Sequence, residues 1–206
     1  MITNNIRFIL LSLFITGITF GLTAFHEKKT KRNLTADPST STIYSEATPF
    51  DLMMQVLTHK RCVNCHPAGD RPRQGEDSHY HNFGVSRGTD NHGVAALRCE
   101  SCHGPENNDF SGVPGAPEWS LAPLSMQWEG LSRVEIAQSM LDRSRNGNRS
   151  LEETVKHLTE HELVLWAWEP GIDAAGNARE VPPVSKEDYI KAVKAWAAAG
   201  AKIPEK

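Results

Sequence analysis

All four cysteines of the 206-residue chain fall in two short runs, Cys62-Val-Asn-Cys65-His66 and Cys99-Glu-Ser-Cys102-His103. Both have the C-x-x-C-H spacing of covalent haem attachment. The spacing serves the chemistry: two thiols add to the two vinyl groups of one porphyrin, and the adjacent histidine turns beneath the ring to bind iron through an imidazole nitrogen. The two copies use every cysteine. The expectation is therefore two covalently attached c-type haems, held by Cys62, Cys65, Cys99 and Cys102, with His66 and His103 as iron ligands. A structural zinc held by four thiolates competes for paired C-x-x-C runs. Its central spacing is usually about 15–20 residues, whereas 33 residues separate Cys65 from Cys99, and zinc gives no reason for a histidine after each pair. Two local disulfides or a redox dithiol are the other uses of such pairs.

A six-coordinate iron needs a second ligand from elsewhere in the chain. His79, His81 and His92 cluster in the polar stretch between the motifs, where no apolar face calls for an imidazole. His79 and His81 are taken as candidate iron ligands, against the alternative of surface histidines that happen to cluster. Met126 stands in SLAPLSMQWEG, a proline-containing loop after the second motif, and a thioether there would raise that iron's potential above that of a bis-histidine site. Met53, Met54 and Met140 fall in apolar helical sets and read as core. His59 is too close to Cys62 to reach the far face of its own haem. His157 and His161, one turn apart, share a helix face. They could hold a metal or aim one imidazole at a haem, or stand solvated beside Glu160 and Glu162.

The elements that position these residues read as helices. Thr48 as a cap, Pro49 at the first turn and Phe50, Met53, Met54 and Leu57 at helical spacing predict a helix leading into the first motif. GVAALRC predicts a similar lead into the second. Ser132 with Glu135, Ser150 with Glu153 and Ser185 with Asp188 are three-residue capping pairs, opening helices over about 132–142, 150–168 and 185–199. Tyr189, Ile190, Val193, Trp196 and Ala197 form one apolar face of the last, which Gly200 would end. Long Gly- and Pro-rich loops remain at 67–91, 104–131 and 169–184. Loops of that length are uncommon without a reason, and porphyrins acting as core elements supply one. The fold class expected is mainly α, with helices and long loops wrapped around two haems and no substantial sheet. Trp166, Trp168 and Trp196 would pack on the rings.

At the N-terminus Arg7 precedes 18 uncharged residues from Phe8 to Phe25, twelve of them apolar. That is the layout of an export signal, at the short end of what spans a bilayer. Residues 1–26 are therefore read as a signal peptide or membrane anchor, 27–48 as a flexible polar tether and 49–206 as the folded domain. Lys28, Lys29, Lys31 and Arg32 cut against an anchor, because the positive-inside rule would hold them in the cytoplasm. The location expected is periplasmic, anchored by residues 8–25 or soluble after cleavage. The chain has 22 Lys and Arg against 25 Asp and Glu, which argues against nucleic acid as a partner bound through net charge.

The double C-x-x-C-H resembles multihaem c-type cytochromes, and small dihaem ones in particular. HKRCVNCHPAGDRPRQGEDSHYH, GVAALRCESCHG, GVPGAPEWSLAPLSMQWEGLS and RNGNRSLEETVKHLTEH are similar to a group of dihaem cytochromes that serve as subunits of isoquinoline 1-oxidoreductase type molybdenum hydroxylases. A histidine between the motifs resembles the arrangement in the electron-transfer subunit of periplasmic nitrate reductase, the Met126 loop that of monohaem cytochromes c, and the last helix the closing helix of cytochrome c domains. The resemblance implies single-electron relay between a dehydrogenase, such as a molybdenum hydroxylase, and a terminal oxidase or other cytochrome. No residue would then be catalytic in the bond-making sense. A dihaem peroxidase-like reductase and a haem-based gas sensor, each with one open iron position, are the alternatives.

Overall fold

A computed structural model describes residues 47–205. The expected signal or anchor at 1–26 and nearly all of the tether lie outside them. The described residues are about 38% helical, with a few short strands.

Helix α1 (Pro49–Leu57) opens on a reciprocal cap: the Thr48 hydroxyl accepts the Asp51 N–H, and the Asp51 carboxylate accepts the Thr48 N–H. A short helix α2 (Lys60–Val63) carries the chain into the first motif, with His59 as its N-cap. Helix α3 (Arg133–Leu141) and helix α4 (Leu151–Glu160) open on the capping boxes of Ser132 with Glu135 and Ser150 with Glu153. Helix α5 (Glu162–Leu165) follows α4 directly, and helix α6 (Lys186–Ala198) opens on Ser185. At its end the Gly200 N–H reaches the Ala197 carbonyl and the Ala201 N–H reaches Trp196. That crossed pair needs a left-handed residue at Gly200, whose φ is 85°.

The helix expected over 150–168 is interrupted. His161 is extended (φ −74°, ψ 123°), ending α4 and starting α5, and a single 3₁₀ turn at Trp166–Trp168 completes the stretch. The lead into the second motif is not helical either. Gly93–Val94 and Leu97–Arg98 form strands β3 and β4 of a two-stranded hairpin, after the hairpin of β1 (Arg73–Gln74) and β2 (His79–Tyr80). Gly93 has φ 90°, and a Cβ there would lie 2.3 Å from the Leu97 carbonyl oxygen. The turn geometry overrides the apolar run.

The core sits where α1 packs along α6. Met53, Met54, Val56 and Leu57 meet Tyr189, Val193 and Trp196, joined by Ile136 and Met140 of α3, Leu158 of α4, and Trp128. Each such side chain contributes roughly 1.5–3 kcal/mol of burial. The long loops are held by guanidinium forks, whose five donors can serve several carbonyls at once. Arg87, 5% exposed, donates to the carbonyls of Gly69 and Ala122 and to the Asn91 side chain, joining two loops. Arg61 joins Glu76 to the Glu180 carbonyl, and Arg179 reaches the carbonyls of Pro170, Ile172 and Gly112.

Candidate functional site

The first motif runs through α2 and the turn after it, and the following loop closes over its backbone. Ala122 donates to the Cys65 carbonyl, and Trp128 and Glu129 both donate to that of His66. The His66 ring is fixed twice. Its Nδ1 lies 2.6 Å from the Met126 carbonyl oxygen, to which it must donate, and the Trp128 indole lies flat against it with centroids 3.6 Å apart and planes 10° from parallel. The indole is anchored in turn by its N–H on Ser139.

The second motif repeats this construction. His103 Nδ1 donates to the Pro114 carbonyl at 2.7 Å, and Trp119 stacks on the ring at 4.5 Å and 9°. Asn107 braces the loop beneath, its carbonyl oxygen accepting the Gly115 N–H and the Trp166 indole N–H. At Gly115 the chain crosses itself so closely that a Cβ would lie 2.2 Å from the Glu106 carbonyl oxygen. With Nδ1–H committed to a carbonyl, each motif histidine holds the tautomer whose Nε2 carries a lone pair. Neither Nε2 has a hydrogen-bond partner among the described residues. A second-sphere carbonyl on one ring nitrogen and a free lone pair on the other is the usual state of an imidazole that ligates a metal. Burial pushes the His66 imidazole down to about 4 and that of His103 below its ordinary value, so both rings stay neutral at pH 7.

A cavity of about 270 Å³ opens beside the first motif. Cys62, Cys65 and His66 line it, as do Thr154, His157, Leu158 and His161, the i, i+3, i+4 and i+7 stripe of α4 and its cap. Burial pushes the Cys62 thiol up to about 12 and that of Cys65 to about 11, so both are neutral thiols rather than the exposed thiolates of a redox dithiol. Thr154 Oγ1 and His161 Nδ1, both on this wall, are buried polar atoms without partners. Orphaned polar groups around an open volume cost free energy unless something else occupies it. All four cysteines are free. Among the described residues no three His, Cys, Asp or Glu side chains gather into a metal cage.

His81 lies beside the second motif, its ring centroid 6.0 Å from that of His103 with planes 69° apart. His81 Nδ1 donates to the Asn82 carbonyl at 2.8 Å, which again leaves Nε2 free. His79 is placed differently: Nδ1 meets Asp77 at 2.5 Å and Nε2 meets Gln74 at 3.0 Å, so both nitrogens are engaged. Met126 is brought to the first motif rather than the second. It lines the first cavity, and its carbonyl holds the His66 ring from His66's own side. His59 caps α2 and meets Glu180 at 3.0 Å. Trp119 and Trp128, the two indoles against the motif histidines, were not signalled by the sequence; their placement after the second motif, far from the first in sequence, hides the pairing.

No protein-family model, characterised protein or solved structure matches this chain. The residues fit the haem that the motifs imply. Two thiols stand beside a neutral imidazole with a free Nε2 at each motif, and the first motif also has an apolar-walled volume.

Proposed function

We propose that this protein is an extracytoplasmic dihaem c-type cytochrome that relays single electrons between a dehydrogenase and a respiratory acceptor. The observation that carries the reading is the duplicated cradle: at each C-x-x-C-H, Nδ1–H of the histidine donates to a loop carbonyl, and an indole lies flat on the ring. Cys62, Cys65 and His66 would hold one haem, Cys99, Cys102 and His103 the other, with His81 as the second ligand of the latter. When bound, the haems supply iron that exchanges one electron between Fe(II) and Fe(III).

The chain's own residues supply what a relay requires. The carbonyls of Met126 and Pro114 fix the tautomer and raise the basicity of the imidazoles. Trp128 and Trp119 fix the ring planes, so a change of charge at the metal meets little reorganisation. Arg87 and Asn107 brace the loops that carry the cradles. The first centre is enclosed, whereas Cys102 of the second is exposed, as are Tyr80, Phe83, Val94 and Leu97 nearby in sequence. That openness suits the second centre to exchange electrons with partners, which we take to be a molybdenum hydroxylase type dehydrogenase and a terminal oxidase or other cytochrome. No helix among the described residues is long and apolar enough to cross a membrane; membrane attachment, if used, falls to residues 8–25.

Attaching haem to the exported protein and counting it after denaturation tests this directly. Two haems per chain are expected in the parent. Replacing Cys99 and Cys102 by Ala should leave one. Loss of neither haem in that variant would contradict the assignment.

A further inference from the structure

The cavity beside the first motif holds a histidine that nothing in the fold employs. His157, on α4, lines the same volume as Cys62, Cys65 and His66, yet its ring makes no hydrogen bond among the described residues. Its aromatic contact among the described residues is edge to face with His161, at 4.8 Å between centroids. Both of its nitrogens are without a partner among these residues and stay accessible from the open volume. The cavity's other donors are already occupied or poorly placed. Met126 gives its carbonyl to His66 Nδ1 and so belongs to the His66 side. Met140, 1% exposed, packs within the α3 core. His161 holds Glu118 through Nε2 at 3.2 Å, which leaves only its buried Nδ1 without a partner and fixes the ring from the Glu118 side. Glu118 itself sits at φ 57°, a conformation costly for a residue with a side chain, and its carboxylate holds the ring that packs on His157.

We propose that His157 is the second axial ligand of the iron held by His66, which makes the first centre bis-histidine. The inference rests on the dihaem reading above and goes beyond it by naming a ligand outside both motifs and their connecting loop. Thr154, His157, Leu158 and His161 line the cavity together, and at the break after α4 the His161 ring meets Glu118.

The test uses the haem-loaded protein, with haem counted per chain after denaturation, and titrates carbon monoxide into the reduced native form. The parent should carry two haems and bind no CO. His157→Ala should keep two haems, bind one CO per chain and show one high-spin iron by magnetic circular dichroism. Added imidazole should restore the low-spin spectrum and block CO. Should His157→Ala fold poorly, His157→Met keeps much of the bulk, and one of the two irons should change from the His/His to the His/Met near-infrared signature. His161→Ala should remain unreactive towards CO. A His157→Ala protein with two haems that still refuses CO would overturn the proposal, as would a His161→Ala protein that binds CO while His157→Ala does not. A parent lacking covalent haem would overturn the dihaem reading instead, and the haem count tells the two failures apart.

Discussion

At the residue scale, the site is built from imidazoles whose two nitrogens have been given separate jobs. In His66, His103 and His81 the Nδ1 proton is spent on a backbone carbonyl, and in His79 both nitrogens are spent on side chains. This accounting separates His81 from His79, which sequence could not do: both lie in the same polar stretch, two residues apart. Trp128 is the residue on which the first cradle most depends. It is 4% exposed, stacks on His66 and donates to Ser139. Trp128→Ala should cost about 3–5 kcal/mol in denaturant unfolding, as large aromatic truncations in cores do, and should broaden the spectrum of one haem by freeing the His66 plane. Loss of less than 1 kcal/mol, on the order of a surface change, with an unaltered spectrum would contradict that role. The two C-x-x-C-H runs were legible from spacing alone, the spacing that vinyl addition and ligation by the next residue would need. The distal side was not, because it depends on helices and loops brought together by folding.

At the scale of elements, the caps were the legible part. Thr48, Ser132, Ser150 and Ser185 each stand three residues before a carboxylate, and each accepts the backbone N–H at that position. Ser150→Ala should destabilise by about 1 kcal/mol, seen as a lower denaturant midpoint with unchanged slope. It should also loosen the start of α4, the helix that presents His157. The hairpin at 93–98 was not legible: two-residue strands are too short to display a period, and Gly93 there reads as a helix-compatible residue until its left-handed φ is known. The break at His161 was hidden for a related reason. The apolar spacing of 150–168 continues through it, and only the pairing of His161 with Glu118, from a distant loop, makes the extended conformation useful.

The tie between the 169–184 loop and α2 should respond to pH. Hydrogen bonds from Lys60 and then His59 hold the Glu180 carboxyl down at about 2, against an ordinary 4.5. Because the folded value is the lower one, the contribution is complete above the ordinary value and is lost as pH falls from about 4.5 towards 2. Glu180→Gln should therefore flatten part of the acid-side loss of stability without altering stability's slope near neutrality. Identical acid profiles for parent and variant would show that Glu180 carries none of it.

At the scale of the whole molecule, the two C-x-x-C-H motifs differ in enclosure. Cys62 and Cys65 stand in a lined cavity, whereas Cys102 is exposed. Burial disfavours the more highly charged oxidised iron, so the first centre should have the higher potential of two resolved in a redox titration. The Cys99→Ala/Cys102→Ala protein should retain the higher one. Retention of the lower potential would reverse the assignment. Beyond residue 26 the chain carries 21 Lys and Arg against 25 Asp and Glu, about −4. Association with a basic redox partner should then weaken as salt rises, and rates insensitive to ionic strength would argue for an uncharged interface. Among the described residues the buried apolar cluster centres on α1 and α6, joined by side chains of α3 and α4.

The most direct test is a reduced-minus-oxidised optical spectrum of the haem-loaded protein with near-infrared magnetic circular dichroism, taken before any partner is added. Two covalent haems per chain, both low-spin with His/His ligation, are the result this account predicts. A chain that carries no covalent haem, or one with an iron that is high-spin as isolated, would contradict it.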